Sequence, residues 1–151
     1  MNAFDRIAFR PMGYDDLDRV MAIEAELYEF PWSRGNFGDS IGSGYLCEVM
    51  ERGGFLAGYG VMMTVVDEAH LLNLSVARNW QGFGMGRRLL GHFMHSARES
   101  ALRYFQLEVR ISNAVARSLY LSAGFEEVAV RPGYYPVSGG REDAVIMGVA
   151  L

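Results

Sequence analysis

The segment from His70 to Arg110 constrains this chain most. An apolar run, HLLNLSV, is followed by the glycine-rich QGFGMGRRLL and later by a second strand-like run, YFQLEVR. Between them Leu89, Leu90, Phe93, Met94 and Ala97 recur at helical spacing, marking the buried face of a helix that ends near Leu102. A strand, turn, helix, strand unit is a crossover, and a crossover sets its two strands parallel in one sheet. Gly82, Gly84 and Gly86 stand at alternate positions where the helix begins. Fixing glycine costs conformational entropy, so the cluster points to unusual dihedrals or to close approach of bare backbone. A Walker loop requires G-x-x-x-x-G-K-[ST], and a dinucleotide fingerprint would require glycine at Arg87 or Leu89; neither is present. What remains is the helix start itself, whose N–H groups and dipole favour phosphate oxygens, with Arg87 and Arg88 adding positive charge. On the glycines alone, a flexible loop with a glycine cap is the equal alternative.

The flanking segments give a sheet of mixed direction. RIAFR at 6–10 reads as a short strand, and Asp15 or Asp16 caps a helix carrying Leu17, Val20, Met21, Leu27 and Tyr28. Ser33, in FPWS, can cap a short helix to about Ile41, against the weakening effect of Gly35 and Gly38. YLCEVM, the turn ERGG and FLAGYGVMMTVV form a hairpin, and a turn at Asp67 to Ala69 leads into HLLNLSV. Asn113 opens a helix through Tyr120 that stops at Gly124. Two last strands, FEEVAVR and DAVIMGVA, flank a loop rich in tyrosine and glycine.

With 151 residues and 50% hydrophobic content, the chain suits one globular domain, and no repeat, linker or low-complexity tract divides it. The net charge of −4 argues against an electrostatic grip on nucleic acid and suits a basic protein substrate. Cys47 is the only cysteine, which excludes an internal disulfide and a cysteine-based metal cage and fits a reducing cytoplasm. MNAFDRIAFR carries charge too early for a secretory segment, and no apolar run is long enough to span a membrane. The expectation is a soluble, unexported protein.

QGFGMGRRLL after HLLNLSV, followed by LEVRISNAVARSLYLSAGF, resembles the acetyl-CoA motif and following segment of the GNAT N-acetyltransferases. FPWS at 30–33, LEVR at 107–110, SN at 112–113, LY at 119–120 and YYP with GREDA at 134–144 resemble the bacterial RimI branch in particular, over nearly the whole chain. The resemblance implies an α/β (α+β) GNAT fold. Its mixed central sheet would have about seven strands with about four helices, and the cofactor would lie in the splay between the two central parallel strands. It implies one acetyltransferase domain over 1–151 that acetylates the N-terminal alanine of a small-subunit ribosomal protein. It also implies that backbone groups of Leu74, Ser75 and Val76 pair with the pantetheine arm, and that the amides of Gly82, Phe83, Gly84, Met85, Gly86 and Arg87 hold the pyrophosphate. The superfamily pattern often begins with Arg where this chain has Gln81; RimI-like sequences commonly carry Gln there.

Moving acetyl from a thioester to an amine requires a neutral amine, a polarised carbonyl and a proton for the departing thiolate. An α-amine, of pKa about 8, is roughly a tenth neutral at pH 7, whereas a lysine near 10.4 is neutral in well under a thousandth of molecules. A modest base therefore serves an N-terminus. Gln106, Glu108 and Arg110 share one face of the YFQLEVR strand, opposite apolar Phe105, Leu107 and Val109. From the residues alone, Glu108 is equally a base or the ion-pair partner of Arg110. The resemblance makes it the base, directly or through water. Tyr120 sits among helix-burying neighbours and reads first as a core residue; the resemblance makes it the acid that protonates the thiolate. Asn113 is an N-cap to which the resemblance adds a cofactor hydrogen bond. Phe30, Trp32, Tyr134 and Tyr135 read as loop aromatics, which the resemblance assigns to a cover over the incoming peptide.

His92 and His95 lie three apart on the polar side of their helix with no third ligand nearby, so they read as solvated and no metal is expected. Cys47 reads as a buried thiol, which favours direct transfer in a ternary complex over an acetyl-cysteine intermediate. The competing readings are acetylation of lysine or of a small amine, and an acyl-CoA-binding sensor without turnover.

Overall fold

Apolar alternation and turn chemistry resolve into thirteen short elements in the computed structural model, which describes residues 6–151. Strand β1 spans Ile7–Pro11, and a 3-10 turn at Tyr14–Asp16 precedes helix α1, Leu17–Leu27. Helix α2 covers Arg34–Gly42, followed by β2 at Leu46–Arg52, β3 at Phe55–Val65 and β4 at Glu68–Val76. A second 3-10 turn, Arg78–Trp80, precedes α3 at Met85–Glu99; then come β5 at Tyr104–Arg110, α4 at Ala114–Ser122, β6 at Glu126–Val137 and β7 at Gly140–Ala150. The strands hydrogen-bond in the order β1-β2-β3-β4-β5-β7-β6. β4 runs parallel to β5, and β1/β2, β2/β3, β5/β7 and β6/β7 are antiparallel, so the sheet is mixed as the crossover requires. The export reading rests partly on residues 1–5, which lie outside the described residues.

Two compact units divide the chain, one of residues up to Met63 with Asn73–Phe93, the other of Thr64–Leu72 with Met94–Leu151. In the first, Phe37, Val49, Tyr59 and Val61 are fully buried, and Phe37 meets Tyr59 edge to face at 5.7 Å. Two glycines of β3 let neighbours close on it: a Cβ at Gly60 would lie 2.5 Å from the Phe93 ring, and one at Gly58 would lie 2.7 Å from the Ser75 carbonyl oxygen. In the second unit, the parallel register runs from Glu68↔Tyr104 to Leu71↔Leu107. Phe105, Leu107 and Val109 are buried while Gln106, Glu108 and Arg110 are only partly so, as alternation demands.

Several boundaries differ from the sequence reading. The helix predicted to be capped by Asp15 or Asp16 begins after a 3-10 turn, because the Asp16 carboxylate accepts the Gly13 N–H at 2.8 Å and hydrogen bonds from Arg10 and Arg19. It ends at Leu27, where Tyr28 turns extended. The turn expected at Asp67 to Ala69 is a two-residue one at Val66 and Asp67, with Val66 left-handed at φ 58°. The tyrosine- and glycine-rich loop is strand: β6 continues through Tyr134 and Tyr135 to Val137. Pro132 cannot donate to a ladder, and the chain absorbs it in a register shift between Arg131 and Tyr135, with Gly133 left-handed at φ 59°.

Candidate active site

In the first unit, the glycine turn and the start of α3 form an open rim. Gly82 and Gly84 adopt φ of 83° and 76°, and a Cβ on either would meet nothing within 4 Å. Glycine is therefore demanded here by the backbone dihedral, not by crowding from the protein, and the space in front of both is open. The first helical bond runs from the Arg88 N–H to the Gly84 carbonyl, so the N–H groups of Met85 and Gly86 precede it in the first turn, where the helix supplies no acceptor. Phe83 is exposed and Met85 buried, which pins the turn by one side chain and leaves the other outside. The Gln81 amide donates to the Val76 carbonyl at 2.9 Å, tying the turn to the end of β4. Glutamine at this position thus has a structural task that arginine's fork would perform differently.

Leu74, Ser75 and Val76 form the end of β4 in this same unit, and Ser75 is 2% exposed. Its hydroxyl donates to the Asn73 side-chain oxygen at 2.7 Å and lies 2.6 Å from the Tyr28 hydroxyl. Burial, opposed by the Ser75 hydrogen bond, holds the Tyr28 phenol above the usual tyrosine range. Beside this stretch Glu24 is almost completely buried, accepting from the Tyr59 hydroxyl at 2.8 Å, the Asn73 amide at 2.9 Å and the Trp32 backbone N–H at 3.0 Å. The Trp32 ring packs against Phe37 at 5.0 Å, so this residue is anchored to the core and is not a free loop aromatic. Phe30 remains substantially exposed.

In the second unit, β5 presents Glu108 from its polar face. Its carboxylate pairs with Arg131, whose Nη1 donates at 2.9 Å. Arg110, weighed from the sequence as the ion-pair partner of Glu108, donates to Glu142 and to the Pro136 carbonyl, each at 2.9 Å. Tyr134 and Tyr135 meet edge to face at 4.8 Å, with Arg131 over the first ring and Arg110 over the second. Burial raises the Tyr134 phenol, reinforced by its hydrogen bond to Glu108. Burial and the Glu108 charge push Tyr135 up to about 12. The two tyrosines therefore gather with Glu108, an association a loop assignment conceals. Tyr120 is buried on α4, its ring tilted against Phe125 at 5.7 Å. The Asn113 side chain accepts the Ala116 N–H at 3.1 Å, the cap that its position predicts.

His92 is not the solvated residue expected from the helix pattern. It stacks on Phe9 at 4.0 Å and hydrogen-bonds Glu48 at 2.9 Å, because β1 and β2 supply partners for the helix's polar side. His95 is exposed and lies 3.9 Å from Glu99. No group of three or more metal-ligating side chains occurs among the described residues. Cys47 is buried, and burial with the nearby Glu48 charge pushes its thiol up to about 11, the wrong direction for a nucleophile at neutral pH. Among the described residues no helix is long and apolar enough to cross a membrane.

Sequence reasoning missed Glu24, Asn73, Arg131 and the paired glycines of β3. Glu24 had a signal: it continues the Leu17, Val20 stripe of α1, where a carboxylate is out of place unless it has partners. Gly58 and Gly60 had another, being glycines at period two inside a strand. Arg131 had none, since its meeting with Glu108 depends on the β6–β7–β5 pairing.

The Acetyltransferase (GNAT) family model matches residues 17–125. A relative from Escherichia coli strain K12, named [ribosomal protein bS18]-alanine N-acetyltransferase, is 39% identical over 136 residues, covering 90% of this chain and 92% of the relative. A relative of the same name from Haemophilus influenzae is 39% identical over 137 residues, covering 90% and 93%. The crystal structure of the ribosomal-protein-S18-alanine N-acetyltransferase from Escherichia coli superposes with a TM-score of 0.90 at 36% identity, covering 96% of this chain and 94% of that one.

Proposed function

Because the chain belongs to the acetyltransferase (GNAT) family, we propose that it moves acetyl from acetyl-CoA to the N-terminal α-amine of a protein beginning with alanine, a small-subunit ribosomal protein. The observation that carries the acyl-CoA part is the pair of left-handed, unobstructed glycines at the first turn of α3. The substrate part is supported by relatives named for that reaction and by a net charge of −4 that suits a basic peptide. The family segment draws on both compact units, which supports reading 1–151 as one acetyltransferase domain. Localisation follows the substrate to the cytoplasm.

Acetyl-CoA supplies a thioester whose carbonyl carbon accepts the amine and whose thiolate leaves. Backbone groups of Leu74, Ser75 and Val76 hold its pantetheine arm, the Gly82 to Arg87 amides hold its pyrophosphate, and Asn113 adds a hydrogen bond. Glu108 takes the proton of the incoming amine, directly or through water. Tyr120 gives its proton to the departing sulfur. Phe30, Trp32, Tyr134 and Tyr135 cover the peptide. The nitrogen–carbon bond forms as the carbon–sulfur bond breaks, and no acetyl group rests on the protein.

The test is incubation with labelled acetyl-CoA and two peptides of one sequence, one with a free N-terminal alanine and one with a blocked N-terminus and an internal lysine. Label on the free alanine terminus, located by mass spectrometry, is the expected result. Comparable labelling of the lysine makes the protein a lysine or small-amine acetyltransferase. Binding without labelling makes it an acyl-CoA sensor.

A further inference from the structure

Glu24 has no part in the chemistry just described, yet it is the most completely buried carboxylate among the described residues, at 1% exposure. A carboxylate is kept in such a place only when its oxygens are occupied. Here one oxygen accepts from both Tyr59 on β3 and Asn73 on β4, while the other accepts from the backbone N–H of Trp32. Asn73 is in turn the acceptor for Ser75, which meets Tyr28. A continuous chain of hydrogen bonds thus links the FPWS segment to the end of β4, all within one compact unit. Burial and the Glu24 charge both hold the Tyr59 phenol far above the ordinary range, so it stays a donor.

We propose that Glu24 is a positioning residue that couples the peptide-binding segment at Trp32 to the acetyl-CoA-binding strand at Asn73–Ser75. The inference rests on the reading of those two segments as peptide groove and cofactor strand. The α1 stripe delivers the carboxylate, β3 and β4 hold one oxygen, and the other fixes the main chain at Trp32 where its ring turns onto Phe37. A shift of β4 on binding pantetheine is transmitted through Asn73 and Glu24 to the Trp32 amide. By linkage, the peptide then favours the acetyl-CoA-bound protein as much as acetyl-CoA favours the peptide-bound one.

Glu24→Gln discriminates, because an amide has one acceptor atom. Turned to keep Tyr59 and Asn73, it sets its own N–H against the Trp32 N–H, so the loss falls on the FPWS segment. The expected result is a peptide KM raised about tenfold, with the acetyl-CoA KM changed less than about threefold. Tyr59→Phe removes a donor from the other oxygen and should lower the melting temperature while leaving the peptide KM within about twofold. If Glu24→Gln and Tyr59→Phe lower stability alike and neither changes the ratio of the two KM values, Glu24 is only structural and the proposal is overturned. Trp32→Ala separates the premises: an unchanged peptide KM there removes the groove reading and the coupling with it, whereas a raised KM there with none in Glu24→Gln removes the coupling alone. In the unaltered protein, acetyl-CoA by itself should slow hydrogen exchange of the Trp32 amide several-fold. Unchanged exchange overturns the proposal without any variant.

Discussion

Arg131 donates to the Glu108 carboxylate across 2.9 Å, a contact between residues 23 apart in sequence that places a fixed cation on the candidate base. Arg110, two positions from Glu108 on the same strand face, pairs with Glu142. The Glu108 carboxylate raises the phenols of its ring neighbours Tyr134 and Tyr135. Glu108→Gln is expected to preserve acetyl-CoA binding and to lower turnover about a hundredfold at pH 7. Part of the loss should return as the pH rises past 8, where the α-amine is neutral without help. A rate deficit that is flat with pH would assign Glu108 to positioning.

Tyr120 is buried against Phe125, so Tyr120→Phe keeps the ring's packing and removes only the hydroxyl. The expected outcome is an intact melting temperature within a few degrees, unchanged acetyl-CoA affinity, and kcat lowered about a hundredfold or more. Steady-state kinetics beside a thermal melt decides it: normal turnover returns Tyr120 to the core.

Gly84 is left-handed and faces open space, which separates two effects of substitution. Gly84→Ala should cost about 1–2 kcal/mol in the free protein through its dihedral alone. Saturating acetyl-CoA, at about a hundred times Kd, should stabilise the unaltered protein by about 2.7 kcal/mol. Gly84→Asp, which brings a like charge to the phosphate rim, should abolish that gain. An unaltered ligand-induced shift in the melting temperature of Gly84→Asp would place the pyrophosphate elsewhere.

Asp16 gives the stability its acid limb. The Arg10 guanidinium beside it, aided by the Gly13 N–H and by Arg19, holds its carboxyl well below the usual carboxylate range against the opposing effect of burial. A depressed folded-state pKa means stability that is complete above the unfolded value near 4 and lost as the pH falls through and below it. Arg10 and Arg19 are half-exposed, so the contribution is about 1–2 kcal/mol and not more. Asp16→Asn should therefore destabilise at pH 7 and flatten the fall in stability between about pH 5 and pH 2, read by urea denaturation at each pH.

The crossover, the buried face of α3, the exact strand YFQLEVR and the Asn113 cap were all readable in the sequence because each depends on contacts within a few residues or on one period of alternation. The glycine turn was readable too, since left-handed backbone favours glycine, as Gly82 and Gly84 show. What neighbours along the chain cannot specify is which polar groups meet across the sheet. Glu108 meets Arg131 because β7 lies between β5 and β6, and a bulge at Pro132 sets which β6 side chains come into reach. Glu24 sits on the apolar stripe of α1 and finds partners only because β3 and β4 bring Tyr59 and Asn73 to it. Local periodicity determined most of the elements and the glycine turn that opens α3. Strand order and register decided the partners of the buried and half-buried charges, because a charge taken out of water is held by whatever donors the tertiary fold delivers, at any separation in sequence.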